Sequence, residues 1–150
     1  MKYLFINSVA GFGSTGRLIE ETARELTRQG HICRIAYARK AAPGEIPTVA
    51  IGAPFDYRLH ALRHRLFGTG GFGSRAATAK FLRWVEEYDP DVIWLHNLHG
   101  YYIHIGLLFD YLRQCGKEIR WTLHDCWAFT GNCPYFSGIG CEKWKQGCGG

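Results

Sequence analysis

Asp89-Pro90-Asp91-Val92-Ile93-Trp94-Leu95-His96-Asn97-Leu98-His99-Gly100-Tyr101-Tyr102 is the stretch that decides the fold. An Asp-Pro turn opens into Asp91 to Leu95, a run too short for a helix and rich in β-branched and large apolar residues, so it reads as a strand. Downstream, Ile103 to Cys115 places Leu107, Leu108, Tyr111 and Leu112 on one helical face, and Glu118 to Leu123 is the next strand. Upstream, the same alternation runs back to the start. Lys2 to Asn7 is a strand, Thr15 to Gln29 a helix with Gly30 as its stop, and Ile32 to Ala38 and Thr48 to Ile51 two further strands. Asp56 to Phe67 and Ser74 to Tyr88 are helices. Strands separated by helices need crossover connections, which make neighbouring strands parallel and cover both faces of the sheet. The expected fold is therefore a doubly wound, mostly parallel, Rossmann-like α/β sheet over residues 1–150, ending in a Cys/Gly-rich loop from 126 to 150. Ligands of such sheets sit beyond the carboxyl ends of the strands.

Composition agrees with one core. Of 150 residues, 47% are hydrophobic and 21% charged, too apolar for a disordered chain. No apolar run approaches the roughly 18 residues of a membrane-spanning helix, and the apolar run at the N-terminus is too short for a secretory signal. A cytoplasmic setting is expected, where cysteines are thiols or metal ligands. The net charge of +5 is local. Arg58, Arg63, Arg65, Arg75, Lys80 and Arg83 face the single acid Asp56 between residues 55 and 83, which accounts for the whole surplus. That distribution argues against a nucleic-acid binder and for a local anionic contact.

Three loops at strand ends carry candidate chemistry. Gly11-Phe12-Gly13-Ser14-Thr15-Gly16 matches G-x-G-x-x-G between a strand and a helix, where free N–H groups and missing Cβ atoms suit a phosphate. It is open to three readings: a phosphate or sugar contact, a purely structural turn, or a dinucleotide site in which Arg39 holds the 2′-phosphate of NADP. Against the last, Asn7 to Ala10 lengthen the turn ahead of the first glycine. The second loop holds His96, Asn97, His99 and Tyr101. The third, Trp121 to Gly131, holds His124 and Asp125. Aromatic faces beside directional polar groups suit a sugar ring.

The order Ser14-Thr15-Gly16-Arg17, then Gly30-His31, then Pro90 to Tyr102, then Trp121-Thr122-Leu123-His124-Asp125-Cys126-Trp127-Ala128-Phe129-Thr130-Gly131 resembles the N-terminal domain of family 4 glycosyltransferases of the GT-B fold. The likeness is strongest to those that build colanic-acid-type and other surface polysaccharides. It implies a retaining enzyme that moves a sugar from a nucleotide-sugar donor to a glycan or polyprenyl-linked acceptor with no catalytic metal. By the same resemblance Gly13 and Gly16 lie near the donor diphosphate or the acceptor, and His96 and Asn97 line the acceptor side; Ser14, Thr15, His99 and Tyr101 are further candidates for donor or acceptor binding. His124 touches the transferred sugar, and Asp125 or His124 is the candidate base should the reaction invert instead. The donor-binding second domain is absent from these 150 residues, so the chain alone is expected to be inactive. A sugar-binding remnant without enzymatic activity is the non-catalytic alternative.

Cys126, Cys133, Cys141 and Cys148 have a spacing that leaves structural zinc, free thiols and disulfides all open, since four thiolates suit zinc but no Cys-x-x-Cys knuckle is present. Cys33 and Cys115 read as small core residues. Within the basic stretch, Phe55, Leu59, Leu62 and Leu66 form one apolar stripe. It either packs on the sheet with the charges solvated, or lies on an anionic membrane surface.

Overall fold

The computed structural model describes residues 1–68, 70–130 and 133–146, apart from the side chains of Ile139 and Trp144. Seven strands alternate with helices: β1 (Lys2–Ile6), β2 (Val9–Ala10), α1 (Gly13–Arg28), β3 (Ile32–Tyr37), β4 (Lys40–Ala41), β5 (Thr48–Ala50), α2 (Pro54–Phe67), α3 (Arg75–Tyr88), β6 (Val92–Leu95), α4 (Ile105–Gln114), β7 (Glu118–Trp121) and the short α5 (Trp127–Thr130). Two single 3₁₀ turns, Ser137–Ile139 and Lys143–Lys145, follow. The main sheet has the order β5-β3-β1-β6-β7 and every pairing in it is parallel. This is the doubly wound arrangement that the alternation predicts.

Period-two alternation along β1 sends its side chains to two cores. Leu4 and Ile6 join Ile93, Leu95, Phe81, Val85 and Leu108 on the face covered by α3 and α4. Tyr3 and Phe5 join Ile19, Ala23, Cys33 and Ile35 on the face covered by α1. A parallel sheet buried on both faces needs such continuous apolar strands. Cys33 is buried as expected, which pushes its thiol pKa up; Cys115 packs against the first core.

Two features depart from the sequence reading. The residues that lengthen the turn after β1 are not loose: Val9 and Ala10 pair in parallel with Lys40 and Ala41 as a separate two-stranded sheet. That accounts for the poor match to a dinucleotide turn, because the chain spends those residues on a second pairing before α1 begins. The other departure is α2. Its start follows from Pro54 at the first helical position and the Asp56 carboxylate accepting the Ala53 N–H at 2.7 Å; left-handed Gly68 ends it. The apolar stripe does not pack on the sheet. Phe55 is 71% exposed, Leu62 52% and Leu66 65%, while His60, on the opposite face, is 1% exposed. The packed-stripe reading is therefore corrected: α2 turns a polar histidine inward and its leucines outward.

His60 can be buried because both ring nitrogens are engaged. Its Nε2 accepts the Gly73 N–H at 3.0 Å, and its Nδ1 lies 3.0 Å from the Ser74 hydroxyl. Burial holds its pKa below the ordinary histidine value, so the neutral ring is favoured.

Candidate functional site

The loops after β1, β6 and β7 meet at the carboxyl edge of the sheet. Asn7, fully buried at the end of β1, joins the first two. Its Nδ2 donates to the Val9 carbonyl at 2.8 Å and its Oδ1 accepts the Asn97 N–H at 3.1 Å. The loop after β3 is tied to the same point, with the Ala38 and Arg39 N–H groups donating to the Ser8 carbonyl at 3.3 and 3.0 Å. The loop after β6 then closes on itself, as the buried Tyr102 hydroxyl donates to the Asn97 carbonyl at 2.8 Å. Burial raises the Tyr102 pKa strongly, keeping it a donor.

Parallel pairing of Leu95 with Trp121 brings the ends of β6 and β7 side by side. The Trp121 indole N–H donates to the His96 carbonyl at 3.1 Å. His96 Nδ1 lies 2.9 Å from His124 Nε2, the ring centres 5.1 Å apart and the ring planes 21° from parallel, so the two imidazoles meet edge to edge. His99 Nε2 lies 2.7 Å from Asp125 Oδ2, while Asp125 Oδ1 accepts the Trp127 N–H at 2.9 Å and so caps the short α5. Both carboxylate oxygens of Asp125 are thus engaged, one in orienting His99 and one in starting a helix. Burial, with the neighbouring His124 adding to it, pushes the His96 pKa down to about 4.

Tyr101 stands out on backbone grounds. Its φ of +62° is rare for a bulky side chain and costs on the order of 1–3 kcal/mol. The turn lays its ring 4.9 Å from His64 and 5.7 Å from His60, joining α2 to the loop after β6. A cavity of about 250 Å³ results, lined among others by Arg39, His64, His99, Tyr101, Trp127 and Pro134. A shallower hollow beside it is lined by His96, Asn97, Trp121, His124 and Asp125. A larger groove of about 750 Å³ lies against edge strand β5, between α2 and α3, but neither histidine nor cysteine lines it. The chemistry is concentrated at the smaller site.

His96, Asn97, His99, Tyr101, His124 and Asp125 are therefore brought together. The glycine turn lines neither hollow; Gly11 instead lines a separate one with Arg17, Glu20 and Arg24. Gly16 is structural: a Cβ there would lie 3.2 Å from the Gly11 nitrogen and from Val9. Gly13, with φ of +68°, has open space about it, and Ser14 is exposed beside half-buried Thr15. Arg39 belongs to the cavity rather than to the glycine turn. Of the four clustered cysteines, Cys126, Cys133 and Cys141 form no disulfide among the described residues, and Cys148 lies outside them. Among the described residues no three of His, Cys, Asp and Glu stand close enough to hold a metal ion. Asn7, His60 and His64 were missed by sequence reasoning. The one signal for Asn7 is an amide ending an otherwise apolar strand; for His60 and His64 it is their place opposite the apolar stripe of α2.

In a parallel α/β sheet the carboxyl edge is where ligands bind, and here that edge carries a cleft lined by histidine, aromatic and amide groups. The model of the glycosyl transferase 4-like domain matches residues 13–144, and the chain belongs to that family. It is 39% identical over 89 residues to the colanic acid biosynthesis glycosyl transferase WcaC of Escherichia coli (strain K12), an alignment covering 56% of this chain and 21% of that protein. The chain thus spans about a fifth of the length of that curated relative.

Proposed function

We propose that this chain forms the acceptor-side wall of a retaining hexosyltransferase, which passes a sugar from a nucleotide-sugar donor to a glycan or polyprenyl-linked acceptor in surface polysaccharide biosynthesis. The observation that carries the reading is the convergence of His96, His99, Tyr101, His124 and Trp127, from two separate loops, on one cleft joined to the end of β1 by Asn7. Tyr101 and Trp127 offer aromatic surface to a sugar ring, and His99, His124 and Asn97 offer partners to its hydroxyls.

In front-face displacement the bond from the anomeric carbon to the leaving phosphate oxygen breaks as the bond to the acceptor oxygen forms on the same side. The acceptor's proton passes to the departing diphosphate, so no metal is needed. The role of this wall is to hold the acceptor and stabilise the oxocarbenium-like sugar with fixed dipoles. With both carboxylate oxygens engaged, Asp125 orients His99 and starts α5 rather than acting as a base itself.

The face of α2 supports a membrane setting for the acceptor. Its apolar stripe points outward, with Arg58 and Arg65 on one flank and Arg63 on the other, as suits an anionic bilayer surface. No helix among the described residues is long and apolar enough to cross a membrane.

The test is thermal stability with added ligand. A polyprenyl diphosphate-linked glycan raises the melting temperature, whereas NADP leaves it unchanged. A rise with NADP alone makes the chain a dinucleotide module instead.

A further inference from the structure

We propose that His96 is a positioning residue: through its hydrogen bond it holds His124 in the tautomer that carries the proton on Nδ1, making that nitrogen a fixed donor to an oxygen of the bound sugar or its leaving phosphate. The proposal deepens the glycosyl-transfer reading and rests on it for the identity of the oxygen.

The argument begins with the protons available. His96 is 5% exposed and sits with its ring centre 5.9 Å from those of Phe5 and Trp94, inside an apolar setting. Such burial keeps the ring neutral at pH 7, its pKa being pushed down to about 4. It therefore carries one proton, on Nδ1 or on Nε2. The Nδ1 faces His124 Nε2 at 2.9 Å, while Nε2 is buried and has no hydrogen-bond partner among the described residues.

If His124 donated from Nε2, His96 would have to accept on Nδ1 and carry its own proton on Nε2. That leaves a buried N–H with nothing to receive it, the rarer and costlier defect. If His96 donates from Nδ1, its bare Nε2 is an unpaired acceptor, the milder of the two defects. His124 Nε2 is then the acceptor, and a neutral His124 must hold its proton on Nδ1. The two ring planes lie 21° apart, so the hydrogen bond runs close to the plane of the His124 imidazole and orients it as well. A ligand at Nδ1 therefore meets a donor whose direction is set before binding, the condition under which a dipole stabilises developing charge without reorganising.

The signature is spectroscopic and independent of sugar transfer. In ¹⁵N-labelled chain at pH 7.5, long-range ¹H–¹⁵N correlation is expected to show His124 with a protonated, pyrrole-type Nδ1 and a bare, pyridine-type Nε2. His96→Asn keeps a donor close to the position of Nδ1 and should preserve that pattern. His96→Leu removes the donor and should return His124 to the Nε2-protonated form favoured by a free imidazole. A native His124 protonated on Nε2 overturns the proposal even if no variant folds, and so does an unchanged tautomer in His96→Leu. Failure of glycan binding with the Nδ1 tautomer in place overturns only the functional reading.

Discussion

Replacing Asn7 by alanine tests whether the cleft is assembled as the structure has it. The side chain is fully buried and makes two hydrogen bonds, 2.8 Å to the Val9 carbonyl and 3.1 Å from the Asn97 N–H. Each is worth about 1 kcal/mol net, and a buried donor left without a partner costs a further ~1–3 kcal/mol. The Val9 carbonyl lies in the small β2–β4 sheet, so relaxation there offsets part of the loss. The expected destabilisation is about 2–4 kcal/mol, which for a domain of this size lowers the melting temperature by roughly 5–15 °C. Urea and thermal unfolding followed by circular dichroism give the number, with Ser14→Ala, an exposed position in the neighbouring turn, as the control within about 0.5 kcal/mol. Asn7→Asp should be worse than alanine, since it keeps the acceptor for Asn97 but sets a charged oxygen against the Val9 carbonyl. A loss under about 0.5 kcal/mol for Asn7→Ala refutes the clamp and with it the joining of the loops after β1 and β6.

Three more outcomes follow from the same geometry. His96 has a folded pKa near 4 against an ordinary 6.5, so between those values the unfolded chain binds a proton that the folded chain refuses. Stability is therefore undiminished above about pH 6.5 and falls as pH drops toward 4, by roughly 3 kcal/mol from this group, and urea titrations should show a shallower slope in His96→Asn; equal slopes contradict the burial argument. Gly73→Ala places a methyl group inside the His60 ring and breaks the Gly73 N–H bond to it, at a cost of about 2–4 kcal/mol by chemical denaturation. In vesicle flotation the chain should partition onto anionic bilayers and not neutral ones, with Leu62→Glu or the triple Arg58, Arg63, Arg65→Glu releasing it; equal partitioning onto both vesicle types removes the electrostatic claim.

The elements were legible because their periods were clear. Five strands and four helices fall within two or three residues of the positions that apolar spacing and Gly or Pro punctuation assign. The β2–β4 sheet was not, because two-residue strands have no period to read. The stripe on α2 shows a different limit: spacing tells which residues share a face, but not whether that face meets the core. Here His60 found both of its partners inward, and the leucines were left outside. The site residues were legible by type and by their place after strands. Their partners were not, since the pairing of His96 with His124 and of His99 with Asp125 depends on the register of β6 against β7, which sequence spacing leaves open.

The central claim is that one cleft, built by loops distant in sequence, is the surface that meets carbohydrate. Amide chemical-shift mapping during titration with an acceptor-type glycan addresses it without needing turnover. The account predicts shifts concentrated at Asn97 to Tyr101 and His124 to Trp127, with the groove along β5 silent. Shifts confined to that groove, or scattered over the surface, contradict it.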